Sequence, residues 1–131
     1  MDVELKDQPR PAPASAETLA QSYTFCQQVA CREAGNFYWS FRLLPMKQRQ
    51  AMCALYAFMR KTDDIADTPE PGVDRAQALD QWQLALKNGL EGQPETRLNW
   101  PGFPALLDIM QSYQIPARYL HAVIDGVRMD F

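Results

Sequence analysis

The segment Tyr56-Ala57-Phe58-Met59-Arg60-Lys61-Thr62-Asp63-Asp64-Ile65-Ala66-Asp67 gathers three carboxylates, a guanidinium and a phenol. On a helix of about 3.6 residues per turn, Tyr56, Arg60, Asp63 and Asp67 fall at i, i+4, i+7 and i+11. They make one stripe under about 60° wide, with Asp64 on its flank. Like charges four apart repel by a few tenths of a kcal/mol. Carboxylates at a helix C-terminus also oppose the macrodipole, by roughly 0.3–1 kcal/mol each. A bound cation reverses both penalties. Hard oxygen donors suit Mg²⁺, which takes few carboxylates and completes its shell with water and phosphate oxygens. Arg60 is suited to charge-assisted bonds to a phosphate. Tyr56 can hydrogen-bond or face a carbocation with its ring. The bland alternative is a chance DDxxD pattern at a solvated helix end. The apolar, aromatic run just before the acids favours the first reading, because a lipid diphosphate needs a greasy cavity and then a metal clamp.

The elements that must position these residues read as helices. Residues 1 to about 14 are polar, carry Pro9, Pro11 and Pro13, and read as a disordered lead-in. Ser15 and Thr18 open a helix to about Ala34, with Leu19, Tyr23, Cys26, Val29 and Ala30 at helical spacing. Gly35-Asn36 ends it. The aromatic segment Phe37, Tyr38, Trp39 and Phe41 follows, and Pro45 suits the first turn of the next helix. That helix runs from about Pro45 to about Asp67, about 33 Å. Its middle, Ala51 to Met59, is apolar nearly all round, which predicts burial among other helices. Thr68-Pro69-Glu70-Pro71-Gly72 is a stop and turn. A polar helix spans Asp74 to Leu90, and a Gly-, Pro- and Asn-containing loop runs from Glu91 to about Gly102. Two short helices, about Phe103 to Tyr113 and Pro116 to Val127, close the chain. No window alternates with period two, so the fold class is all-α without a sheet.

Composition narrows the function. The chain has 131 residues, enough for one small domain. The formal net charge of −3 and the absence of a Lys/Arg run give no general attraction to nucleic acid or anionic lipid. The N-terminus has no basic and apolar signal regions, and no apolar run reaches the ~18–20 residues of a membrane span. Cys26, Cys31 and Cys53 fit no zinc spacing and read as reduced thiols in a core, in a cytoplasmic setting. Trp82 and Trp100 read as partly buried. Phe103, Leu106, Leu107 and Met110 read as core, His121 as structural, and Asp125 and Asp130 as local caps or pairs.

Asn36-Phe37-Tyr38-Trp39-Ser40-Phe41-Arg42-Leu43-Leu44-Pro45, then Arg49-Gln50-Ala51-Met52, then Ala54 to Asp67, resemble the squalene/phytoene synthases. The shared pattern is S/N-F-x-x-x-F-x-x-L-P followed at fixed distance by Y-A-F-x-R-x-x-D-D-x-x-D. Ile124 to Asp130 is similar to the stretch ahead of the family's second half, so the resemblance covers about residues 20–131.

It implies a terpenoid-synthase (isoprenoid synthase) helical bundle, of which residues 15–131 are the N-terminal part. It implies head-to-head condensation of two prenyl diphosphates, farnesyl or geranylgeranyl, through a cyclopropylcarbinyl diphosphate. Mg²⁺ would be the cofactor, held by Asp63 and Asp67 with Asp64 beside them. Arg60 would contact diphosphate, Tyr56 would line the catalytic cavity, Phe37 would belong to the mouth or lid, and Phe41 to nearby packing. NADPH enters only if the product is squalene. An apolar product brings peripheral membrane contact into view; oligomeric state is not implied.

Two departures stand out. Ala34 occupies a position where relatives often carry a small hydroxyl residue. The family's second aspartate-rich motif is not in these residues, so the 131-residue chain alone is expected to be an inactive fragment. Two other functions compete with this reading. One is a non-catalytic isoprenoid-binding or assembly subunit. The other is an all-α Mg²⁺ nucleotide pyrophosphatase, disfavoured by the aromatic-Leu-Pro segment.

Overall fold

The structure is a computed structural model that describes residues 15–67, 71–91 and 100–129. Six helices and no strand occur among them: α1 (Ala16–Glu33), α2 (Asn36–Arg42), α3 (Met46–Asp67), α4 (Arg75–Leu90), α5 (Phe103–Ser112) and α6 (Ala117–Met129). The all-α expectation holds. The lead-in 1–14, most of the 68–72 turn, the 92–99 loop and Asp130 lie outside the described residues.

Local chemistry sets the helix ends. The Ser15 hydroxyl accepts from Thr18 N–H at 3.1 Å, and Asp74 accepts from Gln77 N–H at 2.7 Å. Each side chain satisfies a donor that the first helical turn leaves open. Between α1 and α2 the chain turns at Gly35, with φ +59° and ψ −124°. A side chain there would be strained, so glycine is required. The aromatic segment after it forms the seven-residue helix α2, which periodicity had not announced. Pro45 sits just before α3 and accepts from Arg49 N–H at 2.8 Å, rather than occupying the first turn.

α3 is the central element, with α1, α2, α4, α5 and α6 all packed against it. Its inward side carries Ala51, Ala54, Phe58, Thr62 and Ala66. Small residues at this spacing let neighbouring helices approach closely. The expected all-round burial of Ala51 to Met59 is corrected. Met52 and Met59 are 38% and 49% exposed, so one side of α3 is open. Its apolar character there is not matched by a helix among the described residues.

The core centres on Trp82. Its indole stacks between Phe58 and Phe103, at 5.7 and 5.3 Å, and meets the edge of Trp100 at 5.5 Å. The indole N–H donates to Thr62 Oγ1 at 2.9 Å, and the Thr62 hydroxyl donates to the Phe58 carbonyl at 2.9 Å. Trp82 is fully buried and Trp100 is 6% exposed, so the partial burial expected of both is corrected. Tertiary stacking, with a hydrogen bond for the buried N–H, makes full burial of Trp82 affordable.

α5 is tied to α1 by a polar contact. Ser22 donates to the Pro101 carbonyl at 2.7 Å and accepts from Ala105 N–H at 2.9 Å. Tyr23 donates to Asp108 Oδ2 at 2.6 Å. Gly102 opens α5, and a Cβ there would fall on the Trp100 ring. Gly102→Ala should therefore cost about 1–3 kcal/mol by overpacking, read as a lower urea midpoint at unchanged slope.

Cys26 and Cys53 are buried, whereas Cys31 is exposed, which corrects the expectation that all three sit in the core. Burial pushes the Cys26 thiol up to about 12 from 9.0, and raises Cys53 in the same sense. Burial and the bond to Asp108 raise Tyr23 as well. These groups are neutral when protonated, so the unfolded chain ionises first as pH rises. Stability is fully present below about pH 9 and falls between about pH 9 and 12. Urea midpoints at pH 8 and 10 should show the drop, and Cys26→Ala should flatten it.

Candidate functional site

The rotation of α3 is fixed from inside. Phe58 and Thr62 are held by Trp82, so Tyr56, Arg60, Asp63 and Asp67 fall on the opposite, open side. Asp63, Asp64 and Asp67 are exposed, and Tyr56 and Arg60 are half-buried. The helix remains regular through Asp67, so the acids lie on consecutive turns and not on an unwound strand. Along this side the chain passes from Met52, Tyr56 and Met59 to the carboxylates. An apolar surface leads into an acidic end over about 22 Å.

Within the stripe, Arg60 is paired with Asp64. Its Nε and Nη2 donate to the same Oδ1, at 3.1 and 2.7 Å. This bond, first among its causes, raises the Arg60 pKa. The pair is largely exposed, so its contribution to stability is small. Its effect is to hold the guanidinium beside the acids. Tyr56 meets Phe41 edge-on at 6.4 Å, which joins α2 to the stripe. Phe37 is 71% exposed on α2 and makes no ring contact with Tyr56 among the described residues.

The structure adds a residue that the motif did not indicate. Arg75, on α4, donates from Nε to the Ala66 carbonyl at 2.9 Å. α3 has no basic residue in its own last turn. Arg75 satisfies an end carbonyl and places a cation near the negative end of the helix dipole. A basic residue directly after a turn that follows an acid-tipped helix was the available signal.

The donor chemistry fits Mg²⁺ in one way and not in another. No three His, Cys, Asp or Glu side chains converge as a metal cage among the described residues. Mg²⁺ usually needs only one or two carboxylates, with water and phosphate oxygens completing the shell. Asp63 and Asp67, exposed one turn apart, match that requirement. His121 is spoken for elsewhere, with Nδ1 at 3.1 Å from Gln83 Nε2. Asp125 pairs locally with Arg128 at 3.8 Å.

No helix among the described residues is long and apolar enough to cross a membrane. No solved structure matches the chain significantly. Among curated proteins, it is 33% identical over 121 residues to the 15-cis-phytoene synthase of Synechococcus elongatus, covering 92% of this chain and 38% of that protein. It is 29% identical over 124 residues to the 15-cis-phytoene synthase of Synechocystis sp., covering 93% of this chain and 36% of that protein. It is 31% identical over 118 residues to the chloroplastic phytoene synthase 1 of Arabidopsis thaliana, covering 90% of this chain and 27% of that protein. The chain thus spans well under half the length of the curated relatives it matches. Residues 30–131, which include α2, the acid stripe and Arg75, match the profile of the squalene/phytoene synthases, and the chain belongs to that family.

Proposed function

We propose that this chain supplies the first diphosphate-binding helix of a phytoene-synthase-type prenyltransferase. The observation that carries this reading is the open side of α3, where an apolar surface leads to the paired acids Asp63 and Asp67. The proposed reaction joins two prenyl diphosphates head to head, and the similarity to phytoene synthases puts geranylgeranyl diphosphate ahead of farnesyl diphosphate as substrate. Asp63 and Asp67 would hold Mg²⁺, with Asp64 beside them. When bound, the ion would supply positive charge to a departing diphosphate.

The chain's own residues do the rest. Arg60, kept in place by Asp64, contacts the diphosphate. Tyr56, with Phe41 behind it, presents an aromatic face to the reacting end of the prenyl chain. Met52 and Met59 provide adaptable apolar contact for the tail. Phe37 forms the mouth.

The test is an assay of the full-length gene product with geranylgeranyl and farnesyl diphosphate, with product identified by mass. Phytoene and inorganic diphosphate are expected from the first substrate. Absence of any C40 or C30 product, with intact folding, overturns the reading. The other reading is an isoprenoid-binding or assembly subunit without turnover. The exposed acids of α3 suit the binding of one diphosphate whether or not turnover follows. Mg²⁺-dependent binding of a farnesyl thiodiphosphate without turnover would select it.

A further inference from the structure

The last turn of α3 carries the acids and is the part of that helix least able to hold itself. Carbonyls of a final turn have no partner inside their own helix. No basic residue lies in this turn to face them. Asp63 and Asp67 stand four apart, where like charges repel, and Asp67 opposes the helix dipole. The Arg60–Asp64 bond goes to a side chain and not to an end carbonyl. A cation between the acids would remove these penalties, but only once it has bound. Until then the turn must be kept wound from elsewhere.

Arg75 meets that need from α4. It is the first residue of the helix, directly after the Asp74 cap. Arg75, Leu79, Trp82 and Leu86 fall at i, i+4, i+7 and i+11, which makes one stripe of α4. Leu79, Trp82 and Leu86 are fully buried. On α3, Phe58, Thr62 and Ala66 are fully buried at i, i+4 and i+8. The two stripes run antiparallel. Trp82 holds Phe58 and Thr62, and Arg75, two turns earlier on α4, donates to the Ala66 carbonyl at 2.9 Å. The core contact therefore sets where the guanidinium arrives. The Ala66 carbonyl belongs to the peptide that leads into Asp67, so the bond restrains the backbone of that acid.

We infer that Arg75 is a positioning residue of the metal site. Through the Ala66 carbonyl it keeps the last turn of α3 wound, with Asp63 and Asp67 one turn apart, before the cation arrives. This role rests on those acids holding Mg²⁺ as proposed. A turn wound in only a fraction of molecules binds the ion more weakly by that fraction. Loss of one bond from a charged donor shifts such a balance by about tenfold.

The test titrates Mg²⁺ by calorimetry into the full-length gene product loaded with geranylgeranyl thiodiphosphate, an unreactive analogue. Arg75→Ala should weaken Mg²⁺ binding by about tenfold. Arg75 is exposed, so the fold should survive its loss. Arg75→Lys keeps a donor and a charge and should recover most of the affinity. A second measurement needs neither metal nor analogue. In Arg75→Ala, amide hydrogen exchange over Asp64–Asp67 should speed up by about tenfold, with Phe58–Thr62 unchanged. Equal acceleration of both segments, or Mg²⁺ binding within about twofold of the unaltered protein, overturns the inference. So does weaker binding of the analogue at saturating Mg²⁺ with the metal affinity intact, which would place Arg75 on the diphosphate. Asp63→Asn and Asp67→Asn separate the two levels. If they lower Mg²⁺ affinity and Arg75→Ala does not, only the role of Arg75 falls. If they leave it unchanged, the role of the acids falls and takes that of Arg75 with it.

Discussion

Asp63→Asn or Asp67→Asn in the full-length gene product should cut Mg²⁺-dependent diphosphate release by about 10²–10⁴-fold, with no loss of stability in Asp67→Asn. The rate follows from losing a carboxylate that carries several kcal/mol of charge stabilisation, at 1.36 kcal/mol per tenfold. The stability effect has the opposite sign. Both acids are exposed near the C-terminal end of α3. Neutralising Asp67 relieves repulsion of a few tenths of a kcal/mol and an unfavourable dipole interaction. For Asp67→Asn, a thermal midpoint that stays level or rises while turnover collapses is the expected pair of results. Titration of Mg²⁺ should show the loss as weaker metal dependence. If turnover persists within a few-fold in both variants, the acids belong to a solvated helix end and not to the chemistry.

Trp82→Ala should have the largest effect on folding, about 3–5 kcal/mol. The ring touches Phe58, Trp100 and Phe103, and its N–H satisfies buried Thr62. Removing it leaves a cavity and takes away a partner of the Thr62 hydroxyl, which keeps the Phe58 carbonyl. Against a typical total of 5–15 kcal/mol, the chain would be near its unfolding threshold at 37 °C. Urea denaturation followed by far-UV circular dichroism measures this. Trp82→Phe keeps one ring in the stack but loses the N–H and the second ring, so it should recover only part of the loss. A cost below about 1 kcal/mol for Trp82→Ala would mean that the stack does not organise the core.

Much of this arrangement was legible in the residues, and the exceptions have physical causes. The ends of α1, α3 and α4 follow from Ser15, Pro45 and Asp74, because caps and prolines act locally. The acid stripe follows from helical geometry alone. α2 was not legible, since seven mostly aromatic residues give periodicity too little length. Trp82 and Trp100 were misjudged because their burial is decided by partners distant in sequence, Phe58 and Phe103 for Trp82 and Phe25 for Trp100. The exposure of Met52 and Met59 was hidden by their hydrophobicity, which looks the same whether a helix or a ligand covers it. Arg75 at Ala66 O depends on how two helices meet across a turn, which spacing cannot express. The roles of Phe37 and Phe41 came from family likeness alone, whereas those of Tyr56 and Arg60 were also suggested by their own chemistry. Geometry now supplies a neighbour for Phe41, Tyr56 and Arg60, and leaves Phe37 facing solvent.

Thr62 and Asp63 are adjacent in the chain, one locked into the aromatic core and the next turned outward. A single residue inserted or deleted between them would swing everything beyond by about 100° in azimuth. Either the indole would lose its mate or the acids would be driven toward the greasy interior. Sequence drift along this helix therefore has to proceed by substitution and not by changes in length, and the spacing from Phe58 to Asp67 acts as a fixed ruler.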